Sequence, residues 1–248
     1  MSPTPDHVLH NRAFWDGDSD EYQAAHGDAL ARAPLAWGAY RIPEDELDVL
    51  GDLRHRDVLE LGCGAAQWSI ALDGLGTRVV GLDVSRRQLR HARDASASVP
   101  LVLANGEQLP FGGASFDTVF CDHGAISFCE PSVIVAECAR VLRPGGVLAF
   151  CCTHPLLYLT WDPARQRQSR RLQIPYAELG RMDTGDGTID WALPPGAWVR
   201  LLRTNGFEID DVLELSAPAG ATTTYTEFAP PRWAHRWPAE WIWRARRR

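Results

Sequence analysis

Short apolar runs alternate with amphipathic segments between residues 57 and 153, and this alternation organises the chain. The apolar runs predict strands at Asp57–Leu61, Arg78–Asp83, Pro100–Ala104, Phe116–Asp122 and Val147–Thr153. The segments between them predict helices at Ala65–Leu72, from an N-cap at Ser85 to about Ala95, and at Pro131–Leu142. Strands that alternate with helices indicate a parallel sheet with right-handed crossovers.

The pattern before this core is helical. Residues 6–33 carry Phe14, Trp15 and Tyr22 about one or two helical turns apart, which predicts one or two helices over the main domain. Pro43, followed by acidic residues in the next turn, predicts a helix start with Leu47 and Leu50 on its apolar side.

The alternation stops at residues 154–196, which contain several prolines and predict an excursion over the sheet. The Asp/Gly cluster Asp183–Gly187 predicts a hairpin or turn, because a calcium loop needs twelve residues and a terminal Glu. Regular structure then resumes with a helix at Ala197–Thr204, a stop at Asn205-Gly206 and a strand at Phe207–Leu215. Residues 216–239 are interpreted as a loop before a last strand, Glu240–Ala245.

Charge and composition exclude several classes of protein. The formal net charge is -7, and Arg244–Arg248 is the one basic run, so a nucleic-acid partner is not expected. All 25 basic residues are Arg, which excludes Schiff-base chemistry through a lysine. No apolar run reaches membrane-spanning length, and the polar N-terminus predicts no signal peptide.

The six cysteines, Cys63, Cys121, Cys129, Cys138, Cys151 and Cys152, lack Cys-x-x-Cys spacing. They are therefore interpreted as reduced core residues of a cytoplasmic protein, and no metal site is expected.

Two acids and two glycines converge where the first two core strands end. The strand Asp57–Leu61 contains Glu60 and leads into Gly62-Cys63-Gly64, while Asp83 ends the next strand. Open α/β sheets bind ligands at the carboxyl ends of their strands, so a ligand site is predicted here. A buried carboxylate without a partner is costly, so Glu60 should have one.

Gly62-x-Gly64 resembles the start of a dinucleotide fingerprint, which makes a nicotinamide-dependent oxidoreductase one alternative. The third position of that fingerprint is Gln67 rather than Gly, and this weakens the alternative because the third glycine permits close helix–strand packing.

Four motifs in order across residues 56–153 resemble those of class I S-adenosylmethionine-dependent methyltransferases. They are Val58-Leu59-Glu60-Leu61-Gly62-Cys63-Gly64, Gly81-Leu82-Asp83-Val84-Ser85, the segment Ala104–Phe111 followed by Ser115-Phe116-Asp117, and Arg140–Gly146. The resemblance implies a Rossmann-like α/β fold: a seven-stranded, mostly parallel sheet with helices on both faces, an antiparallel last strand and an N-terminal helical cap.

The resemblance also implies the cofactor S-adenosyl-L-methionine and residues that hold it. Glu60, Gly62 and Gly64 would line its amino-acid end, Asp83 would accept both ribose hydroxyls, and Asp122 would lie near the methionine amine. Asn105, which stands where the family usually has Asp, would lie with Gly106 and Glu107 along the adenine. The full set expected at the cofactor is Tyr22, Trp37, Glu60, Gly62, Cys63, Gly64, Asp83, Val84, Asn105, Gly106, Glu107, Asp122 and His123, with Tyr22 and Trp37 closing over it.

Two histidines are candidate general bases. His123 follows the fourth core strand and His154 ends the fifth, so both are expected to face the crevice above the sheet. His154 is the first choice, because Pro155 starts the excursion that would cover a substrate.

The sequence thus predicts a single methyltransferase domain with a helical cap (1–52), a cofactor-binding core (53–153), a substrate lid (154–196) and a C-terminal part (197–248). Its acceptor would be an O, N or C atom of a small molecule, and the protein would be a monomer or homodimer without a membrane partner. Four aromatic residues of the excursion are candidates for the acceptor pocket, namely Tyr158, Trp161, Tyr176 and Trp191. A second alternative is a protein that binds the cofactor without transferring a methyl group.

Overall fold

The structure is a computed structural model that describes residues 4–183 and 187–248. The strands are β1 (Ala36–Trp37), β2 (Ile42–Pro43), β3 (Asp57–Leu61), β4 (Arg78–Asp83), β5 (Leu101–Leu103), β6 (Phe116–Asp122), β7 (Leu142–Thr153), β8 (Trp161–Asp162), β9 (Arg167–Gln168), β10 (Arg181–Asp183), β11 (Ile189–Trp191), β12 (Phe207–Leu215) and β13 (Glu240–Arg247). The helices are α1 (Asp6–Arg32), α2 (Glu44–Leu47), α3 (Gln67–Gly74), α4 (Arg86–Ala95), α5 (Ala125–Phe128), α6 (Pro131–Val141), α7 (Pro155–Thr160), α8 (Pro195–Thr204) and α9 (Pro231–Ala234), with a 3-10 turn at Tyr176–Glu178.

A seven-stranded sheet with the order β12-β13-β7-β6-β3-β4-β5 forms the centre of the molecule. The strands from β3 to β7 pair in parallel, whereas β13 pairs antiparallel with both β7 and β12. The predicted fold class, a mostly parallel seven-stranded sheet with an antiparallel last strand, is therefore confirmed.

Both faces of this sheet are buried, as its nearly continuous apolar strands require. On one face α6 and α8 pack Ile134 and Trp198 against strand residues such as Phe150. On the other face α3 packs Trp68 beside Phe120 and Trp37. Trp241 and Trp243 of β13 are both buried in the first cluster.

Several element boundaries differ from the predicted ones for local reasons. Helix α3 begins at Gln67 rather than Ala65, because Ala66 has a left-handed backbone with φ of 57°. Helix α2 is a single turn that ends where Asp48 turns left-handed, so Leu50 lies beyond it. Strand β7 starts at Leu142, which pairs with Phe116, five residues before the predicted start at Val147.

The long N-terminal segment is one helix, α1. The side chain of Asn11 ties it to the region around the strand ends, donating to the carbonyls of Phe128 and Ile189. The predicted N-cap Ser85 accepts the N–H of Gln88 and also donates to Asp16 of α1. These bonds hold α1 across the carboxyl end of β4.

The excursion after β7 contains α7, the paired strands β8 and β9, and the paired strands β10 and β11. The turn predicted at Asp183–Gly187 lies partly outside the described residues, because 184–186 are not among them. All six cysteines are unpaired and buried. Within residues 4–183 and 187–248, no helix combines the length and apolar character needed to cross a bilayer.

Candidate active site at the strand ends

A cavity of about 420 Å³ lies at the carboxyl ends of β3, β4 and β6, with α1 forming one wall. This is the position where open α/β sheets bind ligands. The predicted site residues that line it are Tyr22, Glu60, Gly62, Cys63, Gly64, Asp83, Val84, Asn105, Gly106, Asp122 and His123. The tertiary structure thus brings together residues from five parts of the chain.

Glu60 is 4% exposed and has the partner that its burial requires. Its Oε2 accepts hydrogen bonds from Ser69 N–H at 3.0 Å and Ser69 Oγ–H at 2.5 Å, both at the start of α3. Burial raises the pKa of Glu60 to about 8, and the carboxylates of Asp122 and Asp83 contribute in the same direction. This group therefore holds a proton at neutral pH, and a nearby cation would favour its ionised form.

The turn after β3 depends on Gly62, whose φ is 68°. A Cβ at Gly62 would overlap the backbone N of Ala125 and lie 2.6 Å from Gly124 Cα. A Cβ at Gly124 would in turn lie 2.5 Å from Gly62 O. Glycine is thus needed here for two protein backbones to pass each other, in addition to leaving space at the cavity.

Asp83 ends β4 with both carboxylate oxygens aimed at backbone donors. Oδ2 accepts Gly64 N–H at 2.9 Å and Oδ1 accepts Ser85 N–H at 2.7 Å. Burial raises the pKa of Asp83 to about 6 despite these bonds. The side chain joins the glycine turn to the start of α4, and its remaining lone pairs suit hydroxyl donors of a ligand.

Asn105 and Gly106, which follow β5, form the wall of the cavity beside α5. Asn105 Oδ1 accepts Glu107 N–H at 3.0 Å, and a Cβ at Gly106 would lie 3.1 Å from Cys129 Sγ. Glu107 itself does not line the cavity, contrary to its predicted place along the adenine. Its Oε1 lies 2.5 Å from His7 Nε2 and accepts Glu130 N–H, so it ties α1 to the loop before α6.

Asp122, at the end of β6, lies in a network that sequence patterns did not identify. Its carboxylate accepts Gly38 N–H at 3.0 Å and pairs with Arg41 Nη1 at 3.2 Å. Arg41 also donates to Ala33 O just after α1, and it lines the cavity. The methionine end of the predicted cofactor site thus contains a fixed ion pair.

His123, the next residue, has a left-handed backbone with φ of 57° and a 28% exposed side chain that lines the cavity. Its Nε2 lies 2.5 Å from Oε1 of Glu240, the first residue of β13, and Glu240 accepts Ala39 N–H at 2.8 Å. Burial alone would lower the pKa of His123, but the Glu240 carboxylate, with Asp122 and Asp190, raises it above its ordinary value. The sequence signal for Glu240 was an acid at the first position of the predicted last strand, whereas Glu60 lies inside its strand.

Trp37 was predicted to close over the cofactor, and the structure places it elsewhere. Its ring lies 5.1 Å from that of Trp68 in the core, and its Nε1 donates to Glu44 Oε2. The side chain is fully buried and does not line the cavity. The adjacent loop instead contributes its backbone at Gly38 and Ala39.

His154, the first choice as a base, also lies outside the cavity lining. Its Nδ1 accepts Leu156 N–H and thereby caps α7, while its Nε2 lies 3.2 Å from Glu214 Oε1. The ring packs edge-on against Trp241 at 4.8 Å. These contacts hold the imidazole away from the site, so the predicted base role is not supported.

The aromatic lining comes from α1, α3 and α5 and from the segment before α9. The residues are Phe14, Trp15, Tyr22, Trp68, Phe128, Tyr225 and Phe228. Tyr22 and Tyr225 share a hydroxyl hydrogen bond of 2.6 Å, which joins the two segments over the cavity. The four aromatic residues named for the acceptor pocket, Tyr158, Trp161, Tyr176 and Trp191, do not line it. Tyr158 donates a hydrogen bond to Asp190, which does.

Among the residues that the structure describes, one cluster meets the geometric requirement for a cation. Ligand atoms of Asp122, His123 and Cys151 lie within 4.8 Å of one another. However, Asp122 already pairs with Arg41, and burial raises the pKa of the Cys151 thiol well above its ordinary value. A protonated thiol and a neighbouring guanidinium both disfavour a metal ion at this place.

Comparison with known proteins agrees with this geometry. Residues 59–150 match a family model described as a methyltransferase domain. The chain is 30% identical over 165 residues to a "probable S-adenosylmethionine-dependent methyltransferase" of Mycolicibacterium smegmatis, covering 66% of this chain and 57% of that protein. It is 28% identical over 206 residues to a ubiquinone biosynthesis O-methyltransferase of Thiobacillus denitrificans, covering 80% and 79%.

A crystal structure of an S-adenosylmethionine-dependent methyltransferase from Mesorhizobium loti superposes with a TM-score of 0.66, at 23% identity over 81% of this chain and 95% of that one. The fold is therefore that of the class I methyltransferases. The chain is similar to S-adenosylmethionine-dependent methyltransferases, and its residues 59–150 match the methyltransferase-domain model. The chain spans little more than half the length of the first of the two relatives.

Proposed function

We propose that the protein transfers the methyl group of S-adenosylmethionine to an ionisable hydroxyl of a planar small molecule, with His123 as the general base. The observation that carries the acceptor class is the His123–Glu240 pair, which lies in a cavity with aromatic walls. The Thiobacillus denitrificans relative is named an O-methyltransferase, which supports the same acceptor atom.

The two buried acids fit the cofactor. The protonated Glu60 carboxyl would ionise beside the cofactor's ammonium group, and Asp83 would accept the ribose hydroxyls. Asp122, held by Arg41, would accept from the same ammonium group. When bound, the cofactor supplies a sulfonium-activated methyl carbon. The protein then has to align the acceptor oxygen with that carbon and exclude water.

His123 removes the acceptor's proton. Its Nε2 lies 2.5 Å from a Glu240 oxygen, and a proton held on Nε2 would leave Nδ1 to take the one from the hydroxyl. Glu240 would stabilise the resulting imidazolium. The acceptor oxygen would bond to the methyl carbon as the carbon–sulfur bond breaks, which would leave S-adenosylhomocysteine. The proton later leaves to solvent, and no further reactant is required.

The experiment for this proposal has two stages. Calorimetric titration with S-adenosylhomocysteine tests the cofactor, with NADH as the comparison that a nicotinamide enzyme would favour. Transfer of tritiated methyl groups is then measured on matched phenols, anilines and carboxylic acids. Phenol methylation supports the proposal. Binding of NADH alone, or cofactor binding with methylation of none of these acceptors, contradicts it.

Asp83→Ala should weaken S-adenosylhomocysteine binding by about 1–3 kcal/mol, because it removes a charged acceptor of hydrogen bonds. In the wild-type protein the same affinity should fall as the pH drops through about 6, where the Asp83 carboxyl takes up a proton. Titrations between about pH 5 and pH 8 measure both effects. Asp94→Ala, an exposed change on α4, is the control. Equal affinity of the Asp83 variant and wild type would contradict the ribose assignment.

A further inference from the structure

A second groove, of about 690 Å³, lies between the β8–β9 hairpin with the residues after it and α9 with its following turn. Five arginines line it, Arg165, Arg167, Arg170, Arg232 and Arg236, against one acid, Asp162. We call it the arginine groove. None of these arginines belongs to the cavity at the strand ends.

The charges in the arginine groove are largely uncompensated. Arg165 pairs with Asp162 at 2.8 Å. For Arg167, Arg170, Arg232 and Arg236, residues 4–183 and 187–248 provide no ion pair and no hydrogen bond to the guanidinium. The chain as a whole carries a formal charge of -7, so this positive field is local. Like charges close together repel, and a bound anion would remove that repulsion.

The chemistry of the arginine groove is specific for oxyanions. Guanidinium groups present planar forks of N–H donors that match phosphate oxygens in pairs. Arg232 and Arg236 lie four residues apart at α9 and the turn after it, while Arg167 and Arg170 approach from the hairpin side. Several guanidinium groups from two segments line the same groove, and this suits a ligand with more than one phosphoryl group.

An aromatic surface accompanies these cations. Trp237 lines the arginine groove and is 49% exposed, which is unusual for the largest apolar side chain. Its indole face offers a stacking surface for a planar ring, and arginine beside an aromatic ring favours the same kind of ligand. The groove volume falls in the range of small-molecule sites.

We propose that the arginine groove binds an organic diphosphate that carries a planar ring, of the nucleoside diphosphate class. The arginines bind the diphosphate, and Trp237 stacks on the ring. In sequence the groove is close to the central cavity, because α9 begins three residues after Phe228, which lines that cavity. This inference uses a different surface from the proposed methyl transfer and does not depend on it.

Calorimetric titration with adenosine diphosphate, inorganic diphosphate and adenosine tests the proposal. Saturating S-adenosylhomocysteine is present throughout to occupy the central cavity. Adenosine diphosphate should bind more tightly than inorganic diphosphate, and adenosine should give no signal. If S-adenosylhomocysteine itself fails to bind, the proposed function falls, while the variants below still locate the diphosphate site.

Arg232→Gln/Arg236→Gln should weaken adenosine diphosphate binding by about tenfold or more, since it removes two charge-assisted donors. The charge-matched control is Arg200→Gln/Arg203→Gln on α8, whose exposed arginines line neither cavity. Trp237→Ala should lower the affinity for adenosine diphosphate and leave that for inorganic diphosphate unchanged.

Three results would overturn the proposal: no saturable binding of adenosine diphosphate to the wild type, equal losses in the groove and control variants, or retention of full affinity by Arg232→Gln/Arg236→Gln. Thermal unfolding midpoints of all variants establish that the compared proteins are folded.

Discussion

His123→Gln should lower the turnover number by about a hundredfold or more, because a positioned general base contributes at least that much to proton transfer. Glutamine keeps a polar side chain of similar length but has no basic nitrogen. Affinity for S-adenosylhomocysteine should stay within about twofold, since the reaction loses its base and the cofactor keeps its acids. Initial rates with a methyl acceptor and calorimetry on the same preparation separate the two effects.

The matched control is His154→Asn. The asparagine amide oxygen can still accept the Leu156 N–H that His154 now accepts, so α7 keeps its cap. Turnover should be unchanged, because His154 lies outside the cavity. A large loss in the His154 variant with full activity in the His123 variant would reverse our assignment.

The pH dependence supplies a second readout for the same pair. The base acts as the neutral imidazole, so turnover should rise with pH through the pKa of His123, which Glu240 and its acidic neighbours raise. Glu240→Gln removes the carboxylate that stabilises the imidazolium, so the rising limb should move to lower pH. An unshifted limb would show that Glu240 positions the loop at Ala39 without tuning His123.

Glu60→Gln should remove a pH-dependent loss of stability from the cofactor-free protein. The folded-state pKa of Glu60, about 8, lies above its ordinary value of 4.5. Its stabilising contribution is therefore complete below about pH 4.5 and is lost as the pH rises to about 8, at about 1.4 kcal/mol per pH unit. Between about pH 5 and pH 8, the free energy of unfolding of the variant should therefore rise by about 4 kcal/mol relative to that of wild type.

Urea unfolding at several pH values measures this difference without cofactor. The glutamine side chain of the variant can still accept the two hydrogen bonds from Ser69, so the comparison isolates the charge. For Glu208→Gln, an exposed change on β12, the curve of unfolding free energy against pH should run parallel to that of wild type. Parallel curves for Glu60→Gln as well would mean that Glu60 is already ionised in the cofactor-free cavity.

The features that the sequence predicted correctly are local in the chain. Strand β3, the glycine turn and the Ser85 cap each depend on residues within one or two turns of one another. Hydrophobic periodicity and helix capping depend on residues that are this close together in the sequence. The burial of Glu60 followed from its place in an apolar run, and so did the need for a partner.

The misplaced residues depend on contacts between distant segments. Trp37 and His154 have the residue type and the sequence position of site residues. However, the Trp37 ring packs against Trp68, and the imidazole of His154 contacts Glu214 and Trp241. Hydrophobic periodicity predicts which positions are buried, but it does not predict against which distant residues they pack.

The sequence by itself determined the sheet, its strand ends and the two acids, Glu60 and Asp83, because these depend on short-range pattern and on the rule that parallel strands present their carboxyl ends together. The tertiary structure alone decided that Glu240, near the end of the chain, faces His123 and that Arg41 pairs with Asp122. It also gathered the arginine groove from the hairpin and α9. The physical reason is that these pairings arise from the packing of β13, the N-terminal loop and the lid segments against the sheet, and no local spacing encodes that packing.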